Sequence, residues 1–216
     1  MPIFMDRHDV SEPVTAEDIA QLHQEDIKVQ HQFDCRGLTY WFDDKRKTAF
    51  CLIEAPDADA IRNMHNHAHG QVPHSVIEVE ASIVESFLGR LEDPEKAQDT
   101  ALNIINDPAF RTIMVITLEQ SSLLHNDPAP TTSFLHHFRN AVGNILNIYQ
   151  GTVVRQTGTQ YLISFKSVSN TVHAAVDIRS LFNDAATNST HLKIGISAGV
   201  PVTKQPSLFE DAITLA

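Results

Sequence analysis

Residues 38–70, LTYWFDDKRKTAFCLIEAPDADAIRNMHNHAHG, decide the fold. Residues 38–42 and 48–55 are apolar, aromatic and β-branched runs. The charged turn at 43–47 separates them, which is the pattern of a β-hairpin. Pro56-Asp57 then opens a helix: Asp57 is a favoured N-cap type, and Asp59 suits the positive end of the helix. The helix runs to His69-Gly70, with Gly70 a natural C-cap. The same stretch concentrates chemistry, with Cys51 on the second strand and His65, His67 and His69 on the helix.

Upstream, residues 2–8 form a short strand, Ile3-Phe4-Met5 running into Asp6-Arg7-His8-Asp9, which Ser11-Glu12-Pro13 breaks. Thr15, with Asp18 three residues on, resembles a capping box and starts a helix to Phe33. Its inward stripe is Ile19, Leu22, His23, Asp26, Val29, Gln30 and Phe33. His23 and Asp26 are polar on an apolar face, so they are either hydrogen-bonded internally or line a site. Downstream, residues 76–79 make a last strand. The order is βαββαβ, the ferredoxin-like arrangement, over residues 1–80.

Residues 81–109 read as a helical linker: an amphipathic helix at 81–91, a polar stretch containing Pro94, and a helical turn at 101–105. The remainder, 110–216, repeats the order. Its parts are a strand at 111–118, a helix at 132–149, a hairpin of 152–155 and 161–165 around Thr157-Gly158-Thr159, a helix at 172–182, a strand at 192–198 and a short final helix. The fold class is α+β, two ferredoxin-like units joined by a helical linker, with no residue identity between the halves.

Composition is that of a globular protein, 42% hydrophobic and 20% charged. No apolar run is long enough to span a membrane, and MPIFMDRHD lacks the basic region and apolar core of a signal peptide. Two cysteines, Cys35 and Cys51, are therefore expected as reduced thiols in a cytoplasm. A formal charge of -11 argues against nucleic-acid binding. Lys45-Arg46-Lys47 is expected to be a solvated turn.

A ferredoxin-like sheet is expected to set the first and third strands side by side and parallel, bringing His8 near Cys51. On the helical wheel His65 lies about 40° from Ile61 and His69 about 80°, whereas His67 points away. His8, Cys51, His65 and His69 thus form a candidate metal site, with His23 and Asp26 in support. Mixed imidazole and thiolate donors suit Ni, Cu, Zn or Fe rather than Mg or Ca. The same residues admit a structural reading: a lone cysteine on an apolar strand is usually core, and helix-end histidines often just face the negative terminus. His31, His67, His74 and His136-His137 read as surface residues.

The runs MPIFMDRHD, LHQEDIKVQHQF, LTYWFDD and FCLIEAPDADAIRNMHNHAHG resemble a small bacterial ferredoxin-like family of nickel-binding proteins. That resemblance implies a homodimer binding Ni²⁺ through His8, Cys51, His65 and His69, then His23 and Asp26. Tyr40, Trp41 and Glu54 match as wall residues. The second half, with FRTIMVIT, IYQGTVVRQTGTQYLISF, VHAAVDI and LKIGISAGVPV, resembles a class III adenylate/guanylate cyclase homology domain. Where that family carries two metal-binding Asp residues, this chain has Thr117 and Thr159. Its purine-selecting Lys position is Arg155, and residues 110–216 stop before the segment that in that family would supply the transition-state Asn and Arg. The resemblance implies a dimerisation or regulatory scaffold without cyclase activity. The leading expectation is a nickel-binding protein with a pseudo-cyclase domain. The alternatives are a small enzyme using the His/Cys/Asp pocket, and a nucleotide-binding module with no metal.

Overall fold

The computed structural model describes residues 1–11, 13–94, 102–120, 132–185 and 190–216. The chain divides into two compact units, Met1–Phe110 with Val200–Glu210, and Arg111–Gly199 with Asp211–Ala216. The first runs β1 (Ile3–Asp9), α1 (Ala16–Val29), β2 (Arg36–Asp43), β3 (Thr48–Glu54), α2 (Ala58–Ala68), β4 (Ser75–Val79) and α3 (Ala81–Leu88). The second runs β5 (Arg111–Gln120), α4 (Thr132–Tyr149), β6 (Thr152–Thr157), β7 (Gln160–Phe165), α5 (Val168–Ala185) and β8 (Thr190–Gly199). The last element is α6 (Glu210–Leu215). Each unit holds one four-stranded antiparallel sheet, ordered β2-β3-β1-β4 and β6-β7-β5-β8. The architecture is α+β, two ferredoxin-like βαββαβ units. Among the described residues no helix is long and apolar enough to cross a membrane.

One expectation about the first sheet is corrected. β1 and β3 are neighbours, but antiparallel, with Met5 opposite Leu52 and His8 opposite Ala49. The reason is the hairpin. α1 carries the chain back so that β2 runs the same way as β1, and the tight turn then reverses β3 as it enters between them. That register sets Asp6 across from Cys51, where the Cys51 N–H donates to Asp6 Oδ1 at 2.9 Å.

Local chemistry accounts for the element ends. At α1 the capping box is complete: Asp18 N–H donates to Thr15 Oγ1, and Thr15 N–H to Asp18 Oδ2. The helix changes winding at Gln30, giving a 3₁₀ turn, Gln30–Phe33, instead of the expected α-helix to Phe33. There the Gln30 side chain accepts from Gly37 N–H at 2.7 Å and its carbonyl from Cys35 N–H, which pulls the chain into β2. Asp57 caps α2 by accepting from Ala60 N–H. α3 stops at Leu88 rather than at residue 91, because Gly89 takes a left-handed φ of 86°. The expected helical turn at 101–105 does not form over 102–105. Its backbone is engaged by Tyr40, whose hydroxyl donates to the Asn103 carbonyl and accepts from Ile105 N–H. α5 begins earlier than expected, at Val168, because Ser167 Oγ accepts from Asn170 N–H as a cap. The basic turn is not simply solvated either. Asp43 holds Arg46 at 2.8 Å, the Arg46 guanidinium lies 3.6 Å from the Phe110 ring, and Lys47 pairs with Asp44.

On the helical side of the first sheet, Phe4, Tyr40, Phe42, Cys51 and Ile53 pack with Ile19, Ala20, Ile61 and Met64 in one buried core. The alternate residues Met5, Trp41, Phe50 and Leu52 are also fully or nearly fully buried, as are Val84, Phe87 and Leu88 of α3. The sheet is therefore covered on both faces. Burial of each such side chain stabilises by about 1.5–3 kcal/mol. This frame fixes β1, α1 and α2 relative to one another and so positions the polar residues between them.

Candidate metal centre

Strand alternation puts Phe4, Asp6 and His8 of β1 on the face under α1 and α2. Phe4 joins the apolar core, and Asp6, completely buried at 0% exposure, starts a polar cluster at its edge. Cys51 comes from β3 and Asp26 from α1. His65 lies in the last turns of α2, and His69 is the residue that caps it. Asp6, His8 and Cys51 offer donor atoms within 4.8 Å of one another, and so do Asp26, His65 and His69.

His65 joins the two groups. At 1% exposure its Nε2 lies 2.8 Å from Asp6 Oδ2 and its Nδ1 lies 3.0 Å from Asp26 Oδ1. Its Nδ1 is also 3.3 Å from His69 Nε2, and its ring meets that of His8 edge-on with centroids 5.0 Å apart. His69 Nε2 in turn lies 3.1 Å from Asp26 Oδ1, and its Nδ1 accepts from Gln71 N–H at 3.0 Å. With Nδ1 so engaged, a neutral His69 keeps its proton on Nε2. It offers Nε2 to a metal once that proton moves to Nδ1 and the Gln71 contact opens.

The electrostatics follow from this packing. Burial opposes the charged form of His65, yet hydrogen bonds to Asp26 and Asp6 and their negative charges outweigh it, raising its pKa to about 10. Burial would likewise raise Asp6. The neighbouring His8 and the hydrogen bond from His65 overcome it, and Asp6 is held far below the ordinary carboxylate range. For Asp26 the balance is the same: burial raises it, and bonds from His65 and His69 bring it down. Burial first, then the charge of Asp6, pushes the Cys51 thiol well above its usual value. Burial lowers His23.

The ligand candidates named from the sequence are placed as follows. His8, Cys51, His65, His69 and Asp26 come together. His23, 4% exposed, lies beside them and outside both groups; its ring is 5.0 Å from that of Tyr40 and its Nε2 is 3.9 Å from Asp93 Oδ2. His67 is exposed and touches Phe33, and His74, also exposed, accepts from Asp9 N–H. Glu54 pairs with Arg36 at the protein surface and takes no part. Sequence reasoning missed Asp6. The signal was present in the alternation Phe4-x-Asp6-x-His8, which puts the carboxylate on the same face as the histidine.

In the second unit, Thr117 on β5 lies opposite Gln160 and Lys193. Thr159 Oγ1 donates to the Leu118 carbonyl at 3.0 Å, and Glu119 pairs with Lys193. Both donor groups found among the described residues lie in the first unit.

The linked charges predict the pH response of the metal-free protein. With its pKa raised, His65 stabilises the fold fully below its ordinary value of 6.5, and that contribution is lost as pH climbs through about 10. Asp6 and Asp26 are lowered, so their contribution is present above the ordinary value of 3.8 and lost as pH falls below it. Urea unfolding of metal-free protein should show a maximum between about pH 5 and 6.5, with losses below it from the carboxylates and a steady loss above it, from about pH 6.5 to 10, from His65. His65→Gln should cost roughly 3–5 kcal/mol at neutral pH by leaving two buried carboxylates without their cation, and should abolish the loss near pH 10.

Comparison with known proteins bears on the same unit. A family model described as "Nickel responsive protein SCO4226-like" matches residues 4–79. The crystal structure of SCO4226 from Streptomyces coelicolor A3(2) is 31% identical; the match covers 36% of this chain and 94% of that one, with a TM-score of 0.34. An adenylate/guanylate cyclase/hydrolase from Silicibacter pomeroyi is 21% identical over 50% of this chain and 66% of that one, with a TM-score of 0.38. The guanylate cyclase domain of RhGC from Catenaria anguillulae, solved with GTP, is 16% identical over 50% and 70%, with a TM-score of 0.39. Comparison with curated proteins gives no match. Through residues 4–79, the chain belongs to the SCO4226-like family of nickel-responsive proteins.

Proposed function

We propose that the first unit binds a divalent transition ion, nickel(II), through Asp6, His8, Cys51, Asp26, His65 and His69, with His23 alongside. One observation carries this reading: three imidazoles, one thiol and two carboxylates from four elements converge with their side chains buried or nearly so. Two features support the fit. The Nε2 atoms of His8 and His23 are buried and make no hydrogen bond among the described residues, although His8 Nε2 lies 3.5 Å from Asp6 Oδ2. Buried polar atoms of this kind normally have partners. The donor set is also borderline in softness, which suits Ni, Cu, Zn or Fe and disfavours Mg and Ca. The choice of nickel among these rests on the family.

Bound nickel would supply a dication that offsets the buried negative charge. The chain's part is to present the donors. β1 and β3 hold Asp6, His8 and Cys51 in register, and α1 and α2 bring Asp26, His65 and His69 down on them. Metal ligands serve in their deprotonated forms, so Cys51 and His65 give up protons on loading. The second unit belongs to the proposal as a regulatory or dimerisation domain within a homodimer. Thr117 and Thr159 have no carboxylate to hold a metal pair, and Thr159 spends its hydroxyl on backbone.

Two measurements test the halves separately. Calorimetric titration of protein purified without a His-tag should show Ni²⁺ binding that weakens at least about 100-fold in Cys51→Ala, His65→Ala and Asp6→Asn. Variants that bind Ni²⁺ as tightly as the parent would show the site is elsewhere. Incubation with ATP or GTP and metal ions should yield no cyclic nucleotide above background, and sustained production would overturn the non-catalytic assignment.

A further inference from the structure

The donor side chains form one wall of a cavity of about 560 Å³. A water molecule's share of liquid volume is about 30 Å³, so this space greatly exceeds what is needed to complete a metal ion's hydration. Its size falls in the ordinary range for small-molecule sites, about 300–1,000 Å³. Structural metal sites are closed by protein ligands, whereas sites with a space beside the donors leave a position for an incoming ligand. His8 and His23, whose Nε2 atoms make no hydrogen bond among the described residues, both line this cavity.

The rest of the lining indicates what would fit. Val10, Val14, Ile19, Leu22 and Val72 make an apolar wall. The charged lining residues are carboxylates and imidazoles; among the described residues that line the cavity, none is Lys or Arg. Asp9 is held by Arg7, Asp18 by Thr15, and Asp26 by the histidines. Glu25 makes no hydrogen bond or ion pair among the described residues. The field inside is negative, so a free anion is disfavoured relative to an uncharged base.

We propose that this cavity takes a small, uncharged nitrogen base with an apolar body, its nitrogen lone pair toward the metal and its body against Val14, Ile19 and Leu22. This rests on the metal-binding reading above and extends it: the centre would act on or sense an organic ligand rather than only hold an ion.

The test uses the full chain loaded with nickel, with benzimidazole as the probe and benzoate as an anion of similar size. Binding is read by calorimetry and by the shift of the nickel d–d absorption. Benzimidazole should bind the loaded chain at least about tenfold more tightly than it binds metal-free chain or aqueous Ni²⁺, and about tenfold more tightly than benzoate binds. Leu22→Trp, which fills the apolar wall, should lower benzimidazole affinity about tenfold while nickel affinity stays within about threefold. Val14→Phe provides the same test if the tryptophan variant does not fold. Equal binding of benzoate, or filled variants that bind benzimidazole like the parent, would overturn the proposal. A chain that binds nickel but not benzimidazole contradicts this inference alone; a chain that binds no nickel contradicts the metal-binding reading as well.

Discussion

The His65 imidazole, clamped between the Asp6 and Asp26 carboxylates, is the interaction on which the first unit's chemistry depends. Two carboxylates buried this deeply would ordinarily be too costly to keep ionised. Here each is brought within 3.0 Å of the same ring, and the three charges support one another. The clamp also links β1, α1 and α2, three elements far apart in sequence. A metal ion arriving at these donors would take over the role that the His65 proton plays in the metal-free protein. On this account metal binding and the local electrostatics of the fold are one problem. In the metal-free protein His65 supplies the positive charge between the two carboxylates, and a bound metal cation would replace it.

Most of the fold could be read locally. The hairpin of residues 38–55 and the cap at Asp57 were legible because alternation and N-cap chemistry act over a few residues. The capping box at Thr15 was equally local. The direction of β3 relative to β1 was misjudged, because it depends on how α1 and the hairpin turn combine, which no single segment displays. The 3₁₀ turn after Val29, the stop at Gly89 and the irregular course of residues 102–105 were also missed. The turn and the irregular course depend on partners brought from elsewhere, Gly37 for Gln30 and Tyr40 for Asn103 and Ile105. Gly89 was a local signal left unused.

The site was legible in its histidines and cysteine, whose residue types suggest metal chemistry wherever they cluster. His65 and His69 followed from the helical wheel, and Asp26 from its place on an apolar stripe. Asp6 was overlooked because a carboxylate near the end of a strand looks like a boundary residue. Its burial becomes evident only when β3 lies against it and the Cys51 N–H turns to its side chain. The cavity beside the donors has no local signature, since its walls come from β1, β3, both helices and the 71–74 loop. In the second unit the threonines at 117 and 159 were plain in the sequence. Nearby, Glu119 pairs with Lys193 at the surface.

The central claim is that metal enters the first unit at the His65 clamp. Diffraction from crystals of the nickel-loaded, untagged chain, recorded at the nickel absorption edge, tests it most directly. The account predicts anomalous density bounded by Asp6, His8, Cys51 and His65 or by Asp26, His65 and His69. Density confined to exposed histidines such as His31, His67, His136 or His137, with the clamp unchanged, would contradict it.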